Sequence, residues 1–173
     1  LIQKQYPKLK YIETSVKPSQ CYEIGFRHST GELIHWTADD ATYEAELLDR
    51  FYAYYMSKGD YKLILEPTTV ENGRDCTDHH HFFGGQHETP VMATFGFMSR
   101  KLMLEIGGYD KRFVCGQSEN DLIMRAYQAG AKVEIMRDKV IVNHAKHRNG
   151  ESAFRAGKDG FYPHDRNVLE SCW

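Results

Sequence analysis

The sequence predicts one α/β domain with a mostly parallel central sheet flanked by helices, because strand-like and helix-like segments alternate along the chain. Residues 33–37 form an apolar run bounded by Gly31 and an acidic pair, which predicts a buried strand. Apolar residues then recur at helical spacing until Lys58-Gly59 ends the pattern. A length of 173 residues with 41% hydrophobic residues fits a single domain with one sizeable core.

The other predicted elements follow the same two periodicities. Residues 66–90, which include His79-His80-His81, interrupt the pattern and predict a long solvated loop. A helix-like opening runs into strand-like residues 9–14, and residues 147–160 predict a flexible tail. The remaining predictions are strands over residues 61–65, 91–97, 132–136 and 140–143, and helices over residues 100–106 and from 118 to Gly130.

Composition argues against nucleic-acid and membrane partners. The formal net charge of −2 provides no global field that would gather a polyanion. No run of about 18 apolar residues predicts a transmembrane segment, and no leader is visible. The four cysteines are too widely spaced for a zinc-ligand pair, so we expect reduced thiols in the cytoplasm, or in the host cytoplasm if the chain is viral.

The acidic pair Asp39-Asp40 follows the first buried strand, at the end of a sheet strand where α/β folds bind ligands. Carboxylates suit a hard cation such as Mg²⁺ or Mn²⁺, which completes its shell with substrate phosphates. The alternative is that Asp40 or Thr42 caps the next helix, with Glu44 and Glu46 in its first turn. Metal binding is favoured for Asp39, whereas both interpretations stay open for Asp40.

Residues 118–121 have the pattern of a helix start, with Ser118 at the N-cap and Asp121 three residues on. Capping leaves Glu119 unexplained. A carboxylate in the first turn is kept ionised by the helix dipole, which suits a general base that takes a proton from a hydroxyl. Glu119 is therefore the candidate catalytic base.

His144 follows an apolar strand, where a neutral imidazole can complete a metal site. A hydrogen-bonded structural histidine is the alternative, and His147 is a competing ligand. Both interpretations remain open from spacing alone.

A set of short motifs follows in order along the chain: Gly25-Phe26, Ser29, residues 31–34, Asp39-Asp40, Phe95-Gly96, residues 106–110, residues 119–125 and His144. Taken together and in this order, these motifs resemble glycosyltransferase family 2, whose members have the GT-A fold, over roughly residues 11–147. A second similarity, around residues 26–31, is to glycosyltransferase domains of large algal viruses.

The resemblance implies an enzyme that moves a sugar from a nucleoside-diphosphate sugar, with UDP favoured, to a hydroxyl of a glycan or glycoprotein. It implies Mn²⁺ or Mg²⁺ on the donor diphosphate and favours inversion of configuration. The implied positions are the base Glu119, donor contacts at Arg27, Ala38, Asp39 and Asp40, acceptor contacts at Gly107, Gly108 and Asp121, and metal ligands Asp39 and His144.

The chain departs from the family pattern in three places. Thr37 stands where the first acidic residue of the metal motif is usual, and Ser118-Glu119 replaces Glu-Asp. We expect the strand that normally opens such a domain to be missing, so that the domain is N-terminally incomplete. The alternatives are a retaining transferase, a sugar-nucleotide or carbohydrate binding module without catalysis, and a phosphotransferase, which would require a glycine-rich basic loop that is not visible.

Overall fold

The computed structural model describes residues 2–38, 41–76, 91–142 and 153–173, and leaves out the side chains of residues 2, 3 and 153–160. These residues form a mixed α/β fold. In chain order its elements are α1 (Ile2–Gln5), α2 (Pro18–His28), β1 (Leu33–His35), β2 (Ala41–Tyr43), α3 (Leu47–Lys58), β3 (Leu63–Glu71), β4 (Arg74–Asp75), β5 (Phe97–Ser99), α4 (Arg100–Glu105), α5 (Ser118–Gln128), β6 (Lys132–Val142) and α6 (Ala153–Cys172).

The strands form one mixed sheet in the order β1-β5-β3-β6-β2, with β4 paired to β3. Only β3 and β6 pair in parallel among the described strands, and the other four pairings are antiparallel. The expectation of a mostly parallel sheet is therefore not confirmed. Because β1 and β3 are each antiparallel to β5, they run in the same direction, and β6 runs with them. The ends of β1, β3 and β6 thus define one edge of the sheet, here called the carboxyl edge.

Side chains of β3 alternate between the two faces of this sheet, as the period of a strand requires. Leu63 and Leu65 belong to the apolar cluster built around Phe51 of α3. Ile64 belongs to a second cluster that contains Leu122 of α5. Each of these buried side chains contributes about 1.5–3 kcal/mol by leaving water. The two clusters hold α3 on one face of the sheet and α2, α4 and α5 on the other.

The helices α3, α4 and α5 confirm the predicted helical segments. The end of α3 lies where it was predicted, because Gly59 at the C-cap takes a left-handed φ of 61°. In the part of the chain that the structure describes, no helix is long and apolar enough to cross a membrane. The four cysteines form no disulfide bond with one another in the described residues.

Two predicted strands near the end of the chain are in fact one. β6 is one continuous strand, whereas separate strands were predicted over residues 132–136 and 140–143. The parallel ladder with β3 shifts register between Pro67 and Thr68, which leaves Arg137 and Asp138 as additional residues of β6. Because proline has no N–H to donate, Pro67 suits an irregular position in a ladder.

Four further predictions are wrong, in the extent or in the type of the element. The strand predicted to end at residue 65 continues to Glu71, so the predicted loop loses its first residues to β3 and β4. The strand predicted over residues 91–97 is β5, which begins only at Phe97. Residues 9–14 form no strand. Much of the predicted flexible tail belongs to α6, which accommodates Pro163. The residues His79, His80 and His81 of the predicted loop lie outside the described residues.

Candidate functional site

The described residues that flank the predicted metal-binding positions are paired at the carboxyl edge. β1 ends at His35, and the chain re-enters the sheet at Ala41 of β2. Ala41 is paired directly with Val142, the last residue of β6. Asp39, Asp40 and His144 themselves lie outside the described residues. The two segments that carry them therefore leave from paired positions in neighbouring strands.

A partly buried polar network lies just before the acidic pair. The Tyr43 hydroxyl is hydrogen bonded both to the Thr37 hydroxyl and to Nε2 of His35, the latter at 2.8 Å. The Gly96 carbonyl accepts a hydrogen bond from Nδ1 of the same imidazole at 3.1 Å. Burial lowers the pKa of His35 to about 4, so the ring is neutral near pH 7. The Thr37 side chain is thus hydrogen bonded to β2, and β2 is in turn hydrogen bonded to His35 of β1.

The alternative that Thr42 caps the next helix is wrong, because Thr42 lies within β2. The helix α3 starts later, at Leu47, with Glu46 in the N-cap position at a left-handed φ of 61°. Glu44 also lies before the helix, where its carboxylate accepts a hydrogen bond from the Lys139 backbone N–H at 3.0 Å. The N-cap position is therefore not Asp40 either.

The glycine pair after α4 forms a turn that only glycine adopts without strain. Gly107 and Gly108 have φ angles of +86° and +77°. The Gly108 N–H donates to the Met103 carbonyl at 2.9 Å, closing the end of α4. A Cβ atom on Gly108 would lie 2.5 Å from Oε2 of Glu23, whereas a Cβ on Gly107 would meet nothing within 4 Å.

The carboxylate of Glu23 in α2 is hydrogen bonded to the end of this turn. Its buried carboxylate accepts hydrogen bonds from Nε of Arg27 at 2.6 Å and from the Tyr109 N–H at 2.8 Å. Nη2 of Arg27 also donates to the Gly107 carbonyl at 3.2 Å. The predicted donor residue Arg27 thus touches the predicted acceptor turn. Both border an open depression of about 630 Å³ lined by Glu23, Ile24, Arg27, His28, Gly107, Tyr109, Asp110 and Lys111.

Two stacked tyrosines connect the glycine turn with the carboxyl edge. The rings of Tyr22 and Tyr109 stack with centroids 5.3 Å apart. The Tyr22 hydroxyl donates to the Thr37 carbonyl at 3.4 Å. Burial raises the pKa of Tyr109 well above its usual range, and the negative charge of nearby Glu119 raises it further. The structure therefore brings Thr37, the glycine turn and Glu119 into one neighbourhood.

The start of α5 differs by one residue from the prediction. Gln117, at a left-handed φ of 62°, occupies the N-cap, and Ser118 is the first helical residue and fully buried. The Ser118 hydroxyl donates to Oε2 of Glu119 at 3.3 Å. Glu119 is partly exposed and lies in the first turn, where the helix dipole favours its ionised form.

Asp121, predicted near the acceptor, is buried and engaged within the protein. Its Oδ2 accepts from Nε and Nη2 of Arg125 at 2.9 and 2.6 Å, and its Oδ1 accepts from the Trp173 indole at 3.2 Å. Arg125 also donates to the carbonyl of Ile106, the residue before the glycine turn. The Asp121-Arg125 pair therefore joins α5 to that turn.

Among the described residues, no group of three histidine, cysteine, aspartate or glutamate side chains is arranged to hold a metal ion. The predicted ligands Asp39 and His144 lie outside those residues. Comparison with known proteins adds no family assignment. No protein-family model matches the chain. No curated protein shows significant similarity to it.

Several contacts of this neighbourhood were not predicted, although Arg27 itself was. Glu23 and Arg27 are spaced i, i+4 on α2, a signal for a helical ion pair that the sequence does carry. The Tyr22–Tyr109 stack and the His35–Tyr43 hydrogen bond join residues from different elements. No local periodicity encodes such pairings.

The glycine turn gives a stability prediction with an internal control. We expect Gly108→Ala to lower the free energy of unfolding by about 2–4 kcal/mol, because strained φ and a clash add together. Glu23 cannot easily yield, since its carboxylate is held by Arg27 and Tyr109. Gly107→Ala should cost only about 1–2 kcal/mol, from the φ angle alone. Urea denaturation of both variants measures the difference, and equal losses would contradict the packing against Glu23.

Proposed function

We propose that this chain is a metal-dependent glycosyltransferase of the GT-A type. It transfers a sugar from a nucleoside-diphosphate sugar, with UDP favoured, to a hydroxyl of a glycan or glycoprotein. The observation that carries the proposal is the pairing of Ala41 with Val142 at the carboxyl edge. Asp39-Asp40 directly precedes the first residue of this pair, and Asn143-His144 directly follows the second.

Chain connectivity supports a shared site for these segments. Consecutive Cα atoms are about 3.8 Å apart, and paired antiparallel residues are separated by about 4.5–5.5 Å. Asp40 is one residue from Ala41, and His144 is two residues from Val142. A donor set of carboxylate oxygens with one imidazole suits Mn²⁺, and its oxygens suit Mg²⁺. When bound, the cation would stabilise the negative charge of the departing nucleoside diphosphate.

Glu119 has the chemistry of the base in direct displacement. The Glu119 carboxylate takes the proton of the acceptor hydroxyl while that oxygen bonds to the anomeric carbon. The bond between the anomeric carbon and the diphosphate oxygen breaks on the opposite side, which inverts the configuration. The first turn of α5 favours the ionised form of the base, and the open space beside Gly107 can admit an acceptor.

Arg27 is proposed to contact the donor diphosphate. Its guanidinium uses Nε and Nη2 toward Glu23 and Gly107, and its side chain remains 51% exposed at the rim of the depression. A guanidinium has further N–H donors, which match phosphate oxygens well. Ala38 and Asp40 are proposed to contact the donor beside Asp39.

A ligand screen by thermal shift tests the proposed function. Any ligand that binds only the native state raises its apparent stability. UDP-sugars should raise the unfolding temperature in the presence of Mn²⁺, and much less with EDTA. Stabilisation without any transfer or hydrolysis would favour the binding module over the enzyme. No stabilisation by any sugar nucleotide would count against both.

The histidine prediction concerns the metal. We expect His144→Ala to weaken Mn²⁺ binding by about tenfold to a hundredfold, because an imidazole ligand is lost. His147→Ala is the matched control and should change binding little. Titration of Mn²⁺ followed by electron paramagnetic resonance measures both affinities. The reverse ranking would assign the ligand to His147.

A further inference from the structure

The helix α6 contacts the loop 114–117, which leads into α5. Asp165 of α6 is completely buried. Its Oδ1 accepts a hydrogen bond from the Val114 N–H at 2.8 Å, and its Oδ2 accepts from the N–H groups of Cys115 and Gly116 at 2.7 and 2.8 Å. One carboxylate thus binds three successive backbone amides, an arrangement known from anion-binding nests.

Tyr162 of α6 and Trp173, the residue after this helix, bind the continuation of the loop and the first turn of α5. The Tyr162 hydroxyl accepts a hydrogen bond from Nε2 of Gln117 at 2.9 Å. The Trp173 indole donates to Asp121 at 3.2 Å. Glu119 lies between Gln117 and Asp121 in the chain, so the contacts of Tyr162 and Trp173 flank it in sequence on both sides. On its other side the loop is held by the Ser19 N–H, which donates to the Val114 carbonyl at 3.2 Å.

The loop needs such external support at its end. Gln117 has a left-handed φ of 62°, which is unfavourable for a residue with a side chain. A conformation of this kind persists only where its surroundings determine it. The three amides bound by Asp165 directly precede Gln117, and Ser118-Glu119 directly follows. The position of the Glu119 carboxylate therefore depends on the loop conformation that Asp165 maintains.

We propose that Asp165 is a positioning residue that orients the catalytic base Glu119 through the loop 114–117. This inference rests on the proposed function and adds the C-terminal helix to its site. It requires a carboxylate. An asparagine retains one oxygen for the Val114 N–H but places an NH₂ group against the N–H groups of Cys115 and Gly116.

Asp165→Asn is the primary variant, and Glu170→Gln on the exposed side of the same helix is its control. Two measurements are needed on the full chain. We expect kcat with a UDP-sugar and Mn²⁺ to fall by about tenfold or more in Asp165→Asn, because a small displacement of a base is costly. KM for the donor should change by less than about twofold, since the loop acts on chemistry and not on donor binding.

Hydrogen exchange provides the second measurement, which does not need turnover. The amides of Val114, Cys115 and Gly116 should exchange faster in Asp165→Asn, while those of β3 and β6 keep their protection. Unchanged exchange in the loop, or an unchanged kcat, would overturn the inference. A general collapse of kcat, KM and core protection would leave the decision to Tyr162→Phe.

Tyr162→Phe removes one hydroxyl from an exposed ring and leaves the buried carboxylate in place. It should lower kcat by about twofold to fivefold with KM for the donor unchanged. An unchanged kcat in this variant would overturn the inference when Asp165→Asn does not fold. Wild-type protein that transfers no sugar would refute the proposed function and this inference with it. An active wild type with an equally active Asp165→Asn would refute only the inference.

Discussion

Glu119→Gln is expected to lower the rate of sugar transfer by on the order of 10²-fold or more, since it removes the basic lone pair and keeps the size of the side chain. Glutamine also retains the helix start at α5 and an oxygen that can accept from Ser118. Donor binding should therefore survive, and kcat should carry nearly all of the loss. Turnover of a UDP-sugar, with the donor dissociation constant measured separately, gives both quantities.

The control for this variant is Glu32→Gln, which changes an exposed glutamate just before β1. It should leave kcat and donor binding unchanged. Full activity of Glu119→Gln would eliminate Glu119 as the base. A product that retains the anomeric configuration, as seen by NMR, would instead refute direct displacement.

Asp39→Asn is expected to abolish the Mn²⁺-dependent stabilisation by a nucleoside diphosphate while leaving the fold intact. An amide cannot supply the negative charge that a hard cation requires from its ligands. For the wild type at a ligand concentration 100-fold above its dissociation constant, that stabilisation is about 2.7 kcal/mol. Thermal unfolding with UDP, with and without Mn²⁺, measures its loss.

Asp49→Asn, on the exposed side of α3, is the matched control and should behave as the wild type does. If Asp39→Asn kept the full Mn²⁺ dependence, the cation would bind elsewhere. The same result would remove the main reason for connecting the Ala41–Val142 pair with a metal site.

Local signals in the sequence were sufficient for α3, α4 and α5, whereas α2 was not predicted. α3 and α4 end at glycines with positive φ, Gly59 and the Gly107-Gly108 turn, and glycine is the residue that such caps favour. α5 carries an apolar face with Leu122 and Ile123, as its periodicity predicted. These features depend on neighbours three or four residues away, which a single sequence displays.

The direction of pairing between strands was harder to predict from the sequence than the helices were. Alternating strands and helices suggested parallel neighbours, yet the short strands β1, β2 and β5 pair in antiparallel fashion. Strand direction is decided by contacts between distant residues, such as Ala41 with Val142. The gap between the two strands predicted over residues 132–136 and 140–143 contains Arg137-Asp138. A register shift against β3 accommodates these two residues within β6, and such a shift cannot be seen in the sequence of β6 alone.

In the candidate site, too, features with a local sequence signal were predicted and contacts between distant residues were not. Glu119 and the glycine turn were identifiable because a helix start and a Gly-Gly pair are local signals. Asp165 lies just beyond the predicted flexible tail, in a segment for which no element was predicted. Its partners Val114, Cys115 and Gly116 are about 50 residues away, and no local pattern predicts a carboxylate bound by three remote amides.

Transfer of sugar by the wild-type chain is the most direct measurement of the central claim. The protein should be incubated with a panel of nucleoside-diphosphate sugars, Mn²⁺ and simple glycoside acceptors, and both products quantified. The proposed mechanism predicts one nucleoside diphosphate released for each glycosidic bond formed, with inverted anomeric configuration and loss of turnover in EDTA. Folded protein that neither releases a nucleoside diphosphate nor is stabilised by any sugar nucleotide, with or without Mn²⁺, would contradict it.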